Sequence, residues 1–78
     1  MQNQDQRVIT NRLRDIRTPL RISQWQLALT SGVKQSRISL IENCLVKPNN
    51  NEKIKLASAL GREIVDIFFD EQPVTKQT

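Results

Sequence analysis

The sequence predicts an all-α fold, a compact bundle of five short helices. Apolar residues recur at intervals of three and four, which is the spacing of one helix face. No segment alternates with period two for long, and the Asn-Gly and Asp-Gly hairpin signals are absent. The 78 residues allow one small domain, and its core must hold by packing alone because Cys44 is the single cysteine.

The first two helices follow from apolar spacing and local stop signals. One stripe of a first helix, at i, i+4 and i+7, consists of Ile9, Leu13 and Ile16. Thr18-Pro19 ends that helix, because the residue before a proline avoids the α region. Ser23 is a suitable cap for a second helix with Leu27 and Ala28 on its inner face. Ser31-Gly32 ends this helix after two turns.

Three more helices complete the predicted bundle. A third helix carries Ile38 and Ile41 as its apolar pair. Asn49 and Glu52 have the spacing of a capping box at the start of a fourth helix. The apolar residues that mark this fourth helix are Ile54, Leu56, Ala57 and Leu60. A last short apolar helix closes the core with Ile64, Ile67 and Phe68 and turns Val65 and Phe69 outward.

The charge distribution indicates a polyanion on one side of the molecule. Residues 1–47 carry eight basic and three acidic side chains, whereas residues 48–78 carry four and five, for a net charge of +4. A basic first half suits a polyanionic partner, although solvated surface charge explains it about equally well. Residues 1–6 and 71–78 are polar and are expected to be flexible tails around a domain at 7–70.

Composition excludes several classes of function. The chain has no histidine, so a histidine triad or general base is absent by count and a zinc finger lacks ligands. No apolar run approaches the length of a bilayer span, and residues 1–6 lack the pattern of a secretory signal. We therefore expect a cytoplasmic protein that is not an enzyme, with no cofactor, metal, membrane or small-molecule ligand.

The third predicted helix carries the most informative surface. Its outward face offers Gln35, Ser36, Ser39 and Leu40, with Lys34 and Arg37 beside them. Glutamine can donate and accept at an adenine edge, serine can do either, and the cations reach phosphates. No acid occurs in residues 34–41, although surface helices commonly carry Glu/Lys pairs. The alternative is a solvated polar face that happens to lack acids.

Residues 9–69 resemble the Xre family, the lambda-type phage repressor and Cro proteins. The motifs that carry the resemblance are Ile9-x3-Leu13-x2-Ile16-Arg17, Ile22-Ser23-Gln24-x2-Leu27-Ala28, Gly32-Val33-x4-Ile38-x2-Ile41-Glu42-Asn43 and Ala57-x-Ala59-Leu60-Gly61. The resemblance implies a central helix-turn-helix in a lambda repressor-like DNA-binding domain. Repressors of this group place the second helix of the motif in the major groove.

The resemblance also implies roles for individual residues. The positions that match base-reading residues are Gln35, Ser36, Ser39 and Leu40. The positions that match contacts to the DNA backbone are Gln24, Arg37, Asn43 and Lys47, and Gln24 also matches a brace for the first reading residue. Lys34 is added to this backbone set because it places a charge beside the phosphates. For Ser39 and Lys47, plain solvent exposure is nearly as good an interpretation. Arg17 and Glu42 match a structural ion pair rather than a DNA contact.

Several positions depart from the family pattern. Lys34 stands where serine or threonine usually caps the reading helix, and Arg21 and Cys44 replace common glycines. Asn50 stands where an apolar residue often enters the core. Trp25 occupies a usually polar position; it either packs on the N-terminal segment or is exposed against a sugar-phosphate backbone or a partner.

We therefore predict a sequence-specific regulator, most simply a repressor, that binds double-stranded DNA at a palindromic operator. Val65 and Phe69 are the candidates for a homodimer interface that sets two reading helices about 34 Å apart, one turn of DNA. A protein-interaction module of the same fold, such as an antitoxin or adaptor, is the alternative.

Overall fold

The computed structural model describes residues 10–69, which form the five predicted helices. They are α1 (Leu13–Arg17), α2 (Gln24–Ser31), α3 (Gln35–Glu42), α4 (Asn50–Leu60) and α5 (Ile64–Ile67), with a 3₁₀ turn at Thr18–Leu20. This range contains no strand, only an isolated bridge between Asn11 and Phe68, so the all-α prediction is confirmed. The first helix is shorter than the stripe of Ile9, Leu13 and Ile16 predicts, because Thr10, Asn11 and Arg12 are not helical and α1 begins at Leu13. Ile9 itself and the predicted tails lie outside the described residues.

Side-chain caps start two of the helices at the predicted residues. The Ser23 hydroxyl accepts from the Gln26 N–H (3.0 Å), and the Gln26 side chain accepts from the Ser23 N–H (2.8 Å). Asn49 and Glu52 form the same reciprocal pair at 2.8 and 3.0 Å. Each pair satisfies two N–H groups that a helix start otherwise leaves without partners. Lys34 precedes α3 without a side-chain cap.

Four residues with positive φ terminate helices or turns. Gly32 (φ +82°) ends α2 and Gly61 (φ +68°) ends α4, both in the left-handed region that glycine enters without strain. Arg21 (φ +62°) and Cys44 (φ +58°) adopt the same conformation. The two positions that replace common glycines of the family pattern have therefore kept the glycine backbone conformation.

The core draws on every helix. Its buried apolar residues are Leu13, Leu27, Val33, Ile38, Ile41, Leu56, Ala57, Leu60, Ile67 and Phe68. The prediction that Ile64 closes the core is wrong, because its side chain is 36% exposed, and Ile54, one of the apolar residues that mark the fourth helix, is 54% exposed rather than part of the core. The inner stripe of α4 runs through Lys53, Leu56, Ala57 and Leu60, so Ile54 lies one position round the helix from it. Asn50 is also exposed.

The two ends of the described chain pair with each other. The Arg12 N–H donates to the Ile67 carbonyl (2.8 Å), and the Phe69 N–H donates to the Thr10 carbonyl (3.1 Å). The buried Asn11 side chain donates to the Ile41 carbonyl (2.9 Å) and accepts from the Leu13 N–H (3.0 Å). These bonds hold α5 against α1 and connect α1 to the end of α3.

Candidate nucleic-acid interface

The outward face of α3 is set by the turn between α2 and α3. Gly32 ends α2, the buried Val33 follows it, and Ile38 and Ile41 fix the inner side of α3 in the core. The predicted reading residues lie on the remaining surface. Ser36 and Leu40 are exposed, whereas Gln35 and Ser39 are half-buried. None of these four side chains is buried in the core.

A buried ion pair joins α1 to the end of α3. The Arg17 Nε and Nη2 atoms donate to the two carboxylate oxygens of Glu42 at 2.6 and 3.0 Å. The Arg17 Nη1 atom donates to the Ile22 carbonyl at 2.8 Å, which ties the loop before α2 to the same centre. The Glu42 side chain has no exposed surface, and that of Arg17 is 10% exposed.

Glu42 stays ionised in this environment. Burial acts to raise the pKa of its carboxyl group, but hydrogen bonds from Arg17 and Gln24 and the Arg17 charge outweigh burial. The net effect is a pKa below the ordinary glutamate value. Glu42 is therefore a fixed acceptor with no proton to donate.

A directed chain of hydrogen bonds runs from Glu42 to Gln35. The Gln24 Nε2 atom donates to Glu42 Oε1 (2.9 Å), and the Gln35 Nε2 atom donates to Gln24 Oε1 (2.6 Å). An ionised carboxylate only accepts, so Gln24 must turn its amino group towards Glu42. The side-chain carbonyl oxygen of Gln24 then faces Gln35, which must donate to it from its own amino group. The buried carboxylate thus sets the orientation of both amides.

The amide of Gln35 keeps groups for a ligand after this contact. It retains one N–H and the lone pairs of Oε1. A side-chain amide that offers one donor and one acceptor side by side matches N7 and the N6 amino group of adenine in the major groove. The fixed orientation of Gln35 therefore favours adenine chemistry at the start of α3.

The segment after α3 is held by a second set of contacts. The Asn43 amino group donates to the Ser39 carbonyl (2.9 Å), and the Asn43 side-chain oxygen accepts from Arg14 Nη2 (3.1 Å). Arg14 also donates to Glu42 through Nε (3.3 Å). Asn43 is thus held in place, and Lys47 lies exposed beyond it.

Arg37 has an intramolecular partner that the sequence interpretation did not include. Its Nε and Nη2 atoms donate to the two carboxylate oxygens of Glu52, both at 2.8 Å. The hydrogen bond from Arg37 is the main cause of a lowered Glu52 pKa. The fork joins α3 to the start of α4 and leaves Arg37 three N–H groups, two on Nη1 and one on Nη2, for a further partner. Lys34 is exposed.

The other sequence-predicted positions are spread over the surface. Trp25 is 68% exposed, and any packing on residues 1–9 lies outside the described range. Val65 is 75% exposed, while Phe69 is half-buried. Within residues 10–69, no cluster of three His, Cys, Asp or Glu residues could hold a metal, and no helix could cross a membrane.

Two residues of the site were missed by sequence reasoning. Arg14 contacts both Glu42 and Asn43, and Asn11 contacts the end of α3. Arg14 lies three residues before Arg17 on one helix face, so the spacing was a signal for it. The role of Asn11 depends on the fold of the chain ends, and no local signal indicates it.

A family model described as Helix-turn-helix matches residues 13–67, from the first residue of α1 to the last residue of α5. The chain belongs to this Xre/lambda repressor-type helix-turn-helix family. A helix-turn-helix domain of this kind binds DNA. No curated protein and no solved structure gave a significant match. The helix-turn-helix motif consists of α2 and α3, joined at Gly32.

Proposed function

We propose that the protein is a sequence-specific transcriptional repressor that binds a palindromic operator as a homodimer, with α3 in the major groove. The observation that carries this proposal is the orientation of Gln35, fixed through Gln24 by the buried Glu42. An oriented amide at the exposed start of a helix is suited to distinguishing one base from another. Binding to phosphate alone does not require such an orientation.

The base-reading surface consists of Gln35, Ser36, Ser39 and Leu40. Gln35 pairs with adenine, and Ser36 beside it donates to or accepts from a base edge. Leu40, which is 37% exposed, is apolar and suits a thymine methyl group. Ser39 is half-buried and contributes at the edge of this surface.

The DNA backbone is held on both sides of the reading surface. Lys34 immediately precedes α3 and Lys47 lies in the loop after it; both are exposed cations, and each neutralises a phosphate. Arg37 contributes its Nη1 group, and Asn43 is positioned by Arg14. Gln24 adds its second amide N–H, because its first is bound to Glu42.

Dimerisation and repression complete the proposal. Val65, the most exposed apolar residue of α5, contacts its two-fold mate with Phe69 at the rim, and two half-sites then lie one helical turn apart. A bound dimer represses by covering promoter DNA. The protein then acts in the cytoplasm of a prokaryotic cell, where the promoter DNA lies.

Selection of binding sites from random duplex DNA tests the function. We expect a motif that is palindromic and has adenine at the position read by Gln35. Gln35→Ala weakens operator binding by about 1–3 kcal/mol and relaxes specificity at one base pair. A selection that yields no motif, or a Gln35→Ala variant that binds the operator as the wild type does, contradicts the proposal.

The dimer has a separate test. Sedimentation is expected to give a dimer at tens of micromolar protein, and Val65→Asp is expected to shift it towards monomer. A wild-type protein that stays monomeric with and without DNA contradicts this part of the proposal. A protein-interaction module of the same fold would instead co-purify with a stable partner and give no selected DNA motif.

A further inference from the structure

An apolar groove runs beside the reading surface. Trp25, Ala28 and Leu29 of α2 form one side of it, and Lys34, Gln35 and Ser36 form the other. Trp25 is 68% exposed and Leu29 is 83% exposed, four residues apart on one face of α2. Contiguous exposed apolar surface of this kind marks interaction sites in small proteins.

The position and charge of the groove indicate its occupant. Lys34, Gln35 and Ser36 belong to the proposed DNA-binding surface, so the groove continues that surface without a break. Lys34 supplies a positive charge, and among residues 10–69 no acidic side chain lines the groove. Trp25 lines the same groove as Gln35 and Ser36, so a duplex whose base edges meet these two residues has its flanking strand as the nearest candidate to cover the indole.

We propose that the groove binds the sugar-phosphate backbone of one DNA strand, with the Trp25 ring against a deoxyribose. This inference rests on the proposed function. The indole ring covers the carbon face of the sugar, and its N–H donates to a phosphate oxygen. Lys34 neutralises the same stretch of backbone. The contact adds affinity for any duplex and carries no information about its sequence.

The size of the effect follows from the area available. Covering about 50 Å² of the exposed indole with the sugar lowers the dissociation constant about tenfold, if each Å² of buried apolar surface contributes about 25 cal/mol. The contact involves no ion pair, so it leaves the salt dependence of binding unchanged. Removal of the Lys34 charge instead reduces the slope of log K against log salt by about 0.9.

Fluorescence gives a direct test, because Trp25 is the only tryptophan and the chain has no tyrosine. The wild-type protein is titrated with the duplex recovered by site selection and with a shuffled duplex of the same length. We expect the emission to shift to the blue and acrylamide quenching to fall on both duplexes. Full operator binding with unchanged emission and quenching overturns the proposal.

Variants separate the groove from the rest of the surface. Trp25→Ala is expected to lower the affinity of the protein for both duplexes about tenfold, with an unchanged slope of log K against log salt. Trp25→Phe keeps a ring and is expected to retain most of the affinity. Leu20→Ala is the control, because Leu20 is an apolar residue at 45% exposure that does not line the groove. A Trp25→Ala variant that binds as Leu20→Ala does overturns the proposal.

Two further outcomes are distinguishable. If Gln35→Ala binds the selected duplex normally, the proposed reading surface fails, whatever Trp25 does. If Gln35→Ala weakens operator binding while the emission of Trp25 changes only with protein concentration and not with DNA, the groove holds a second copy of the chain and the inference is wrong.

Discussion

Neutralising Glu42 tests how far the domain depends on its buried carboxylate. Glu42→Gln keeps the shape of the side chain but replaces one carboxylate oxygen with an amino group. That amino group must face the N–H groups of Arg17, Arg14 or Gln24, all of which donate to Glu42 in the folded protein. The variant therefore loses the ion pair and also brings donors against each other.

The structure sets the magnitude of the loss. The Glu42 side chain is completely shielded from water, and the Arg17 side chain is 10% exposed. Removal of one partner from a buried ion pair leaves an uncompensated charge and lowers stability by about 3–5 kcal/mol. A domain of this size has a total unfolding free energy near the lower end of the common range, about 5 kcal/mol. Glu42→Gln therefore removes most of the stability of the domain.

Urea denaturation followed by far-ultraviolet circular dichroism measures this loss. Glu52→Gln is the matched control, because Glu52 also accepts a two-point contact from an arginine, Arg37. That pair is partly exposed, at 34% for Arg37 and 14% for Glu52, and water screens its charges. Glutamine at position 52 also preserves the capping box. The reasoning is refuted if Glu42→Gln loses no more stability than Glu52→Gln.

Three other changes have defined outcomes. Folding lowers the pKa of Glu42. The contribution of its ionised form to the unfolding free energy is therefore complete above the ordinary glutamate pKa, near 4.3, and is lost as the pH falls through the pKa of Glu42 in the folded protein. The wild-type unfolding free energy should therefore fall more steeply than that of Glu42→Gln as the pH is lowered below about 5. Ser23→Ala removes the cap of α2 and should lower the unfolding free energy by about 1 kcal/mol, whereas Ser58→Ala, at an exposed position inside α4, should cause no loss of stability. Arg21→Gly should raise the thermal midpoint, because glycine relieves the positive φ, whereas Arg21→Ala should not; equal midpoints for the two variants would exclude backbone strain at this site.

Sequence reasoning predicted the helices because their boundaries depend on local chemistry. Ser23 and Asn49 cap the helices that they were expected to cap, and Gly32 and Gly61 end the helices before them. Capping, proline and positive-φ effects act within four residues of a helix end, so one sequence carries the whole signal. The family followed from the same residues and is confirmed by the match over residues 13–67.

The contacts that sequence reasoning missed join residues far apart in the chain. Arg37 pairs with Glu52 across 15 positions, and the Phe69 N–H pairs with the Thr10 carbonyl. Charge type and spacing do not specify which carboxylate an arginine meets, because the loop between them sets the geometry. On α4, Lys53 rather than Ile54 completes the i, i+3, i+4, i+7 spacing with Leu56, Ala57 and Leu60, but residue type favours the isoleucine as the core residue, and the packed fold turns the lysine inward instead.

The buried ion pair of Arg17 and Glu42 is better explained by orientation than by stability. Well-packed apolar residues often hold two helices as firmly as a buried ion pair does. An apolar residue at position 42 would accept nothing from Gln24, whose amide could then turn either way. Gln35 would lose its fixed direction, and with it the side-by-side donor and acceptor that the proposed contact with adenine requires. The charge in the core therefore determines the chemistry displayed on the surface.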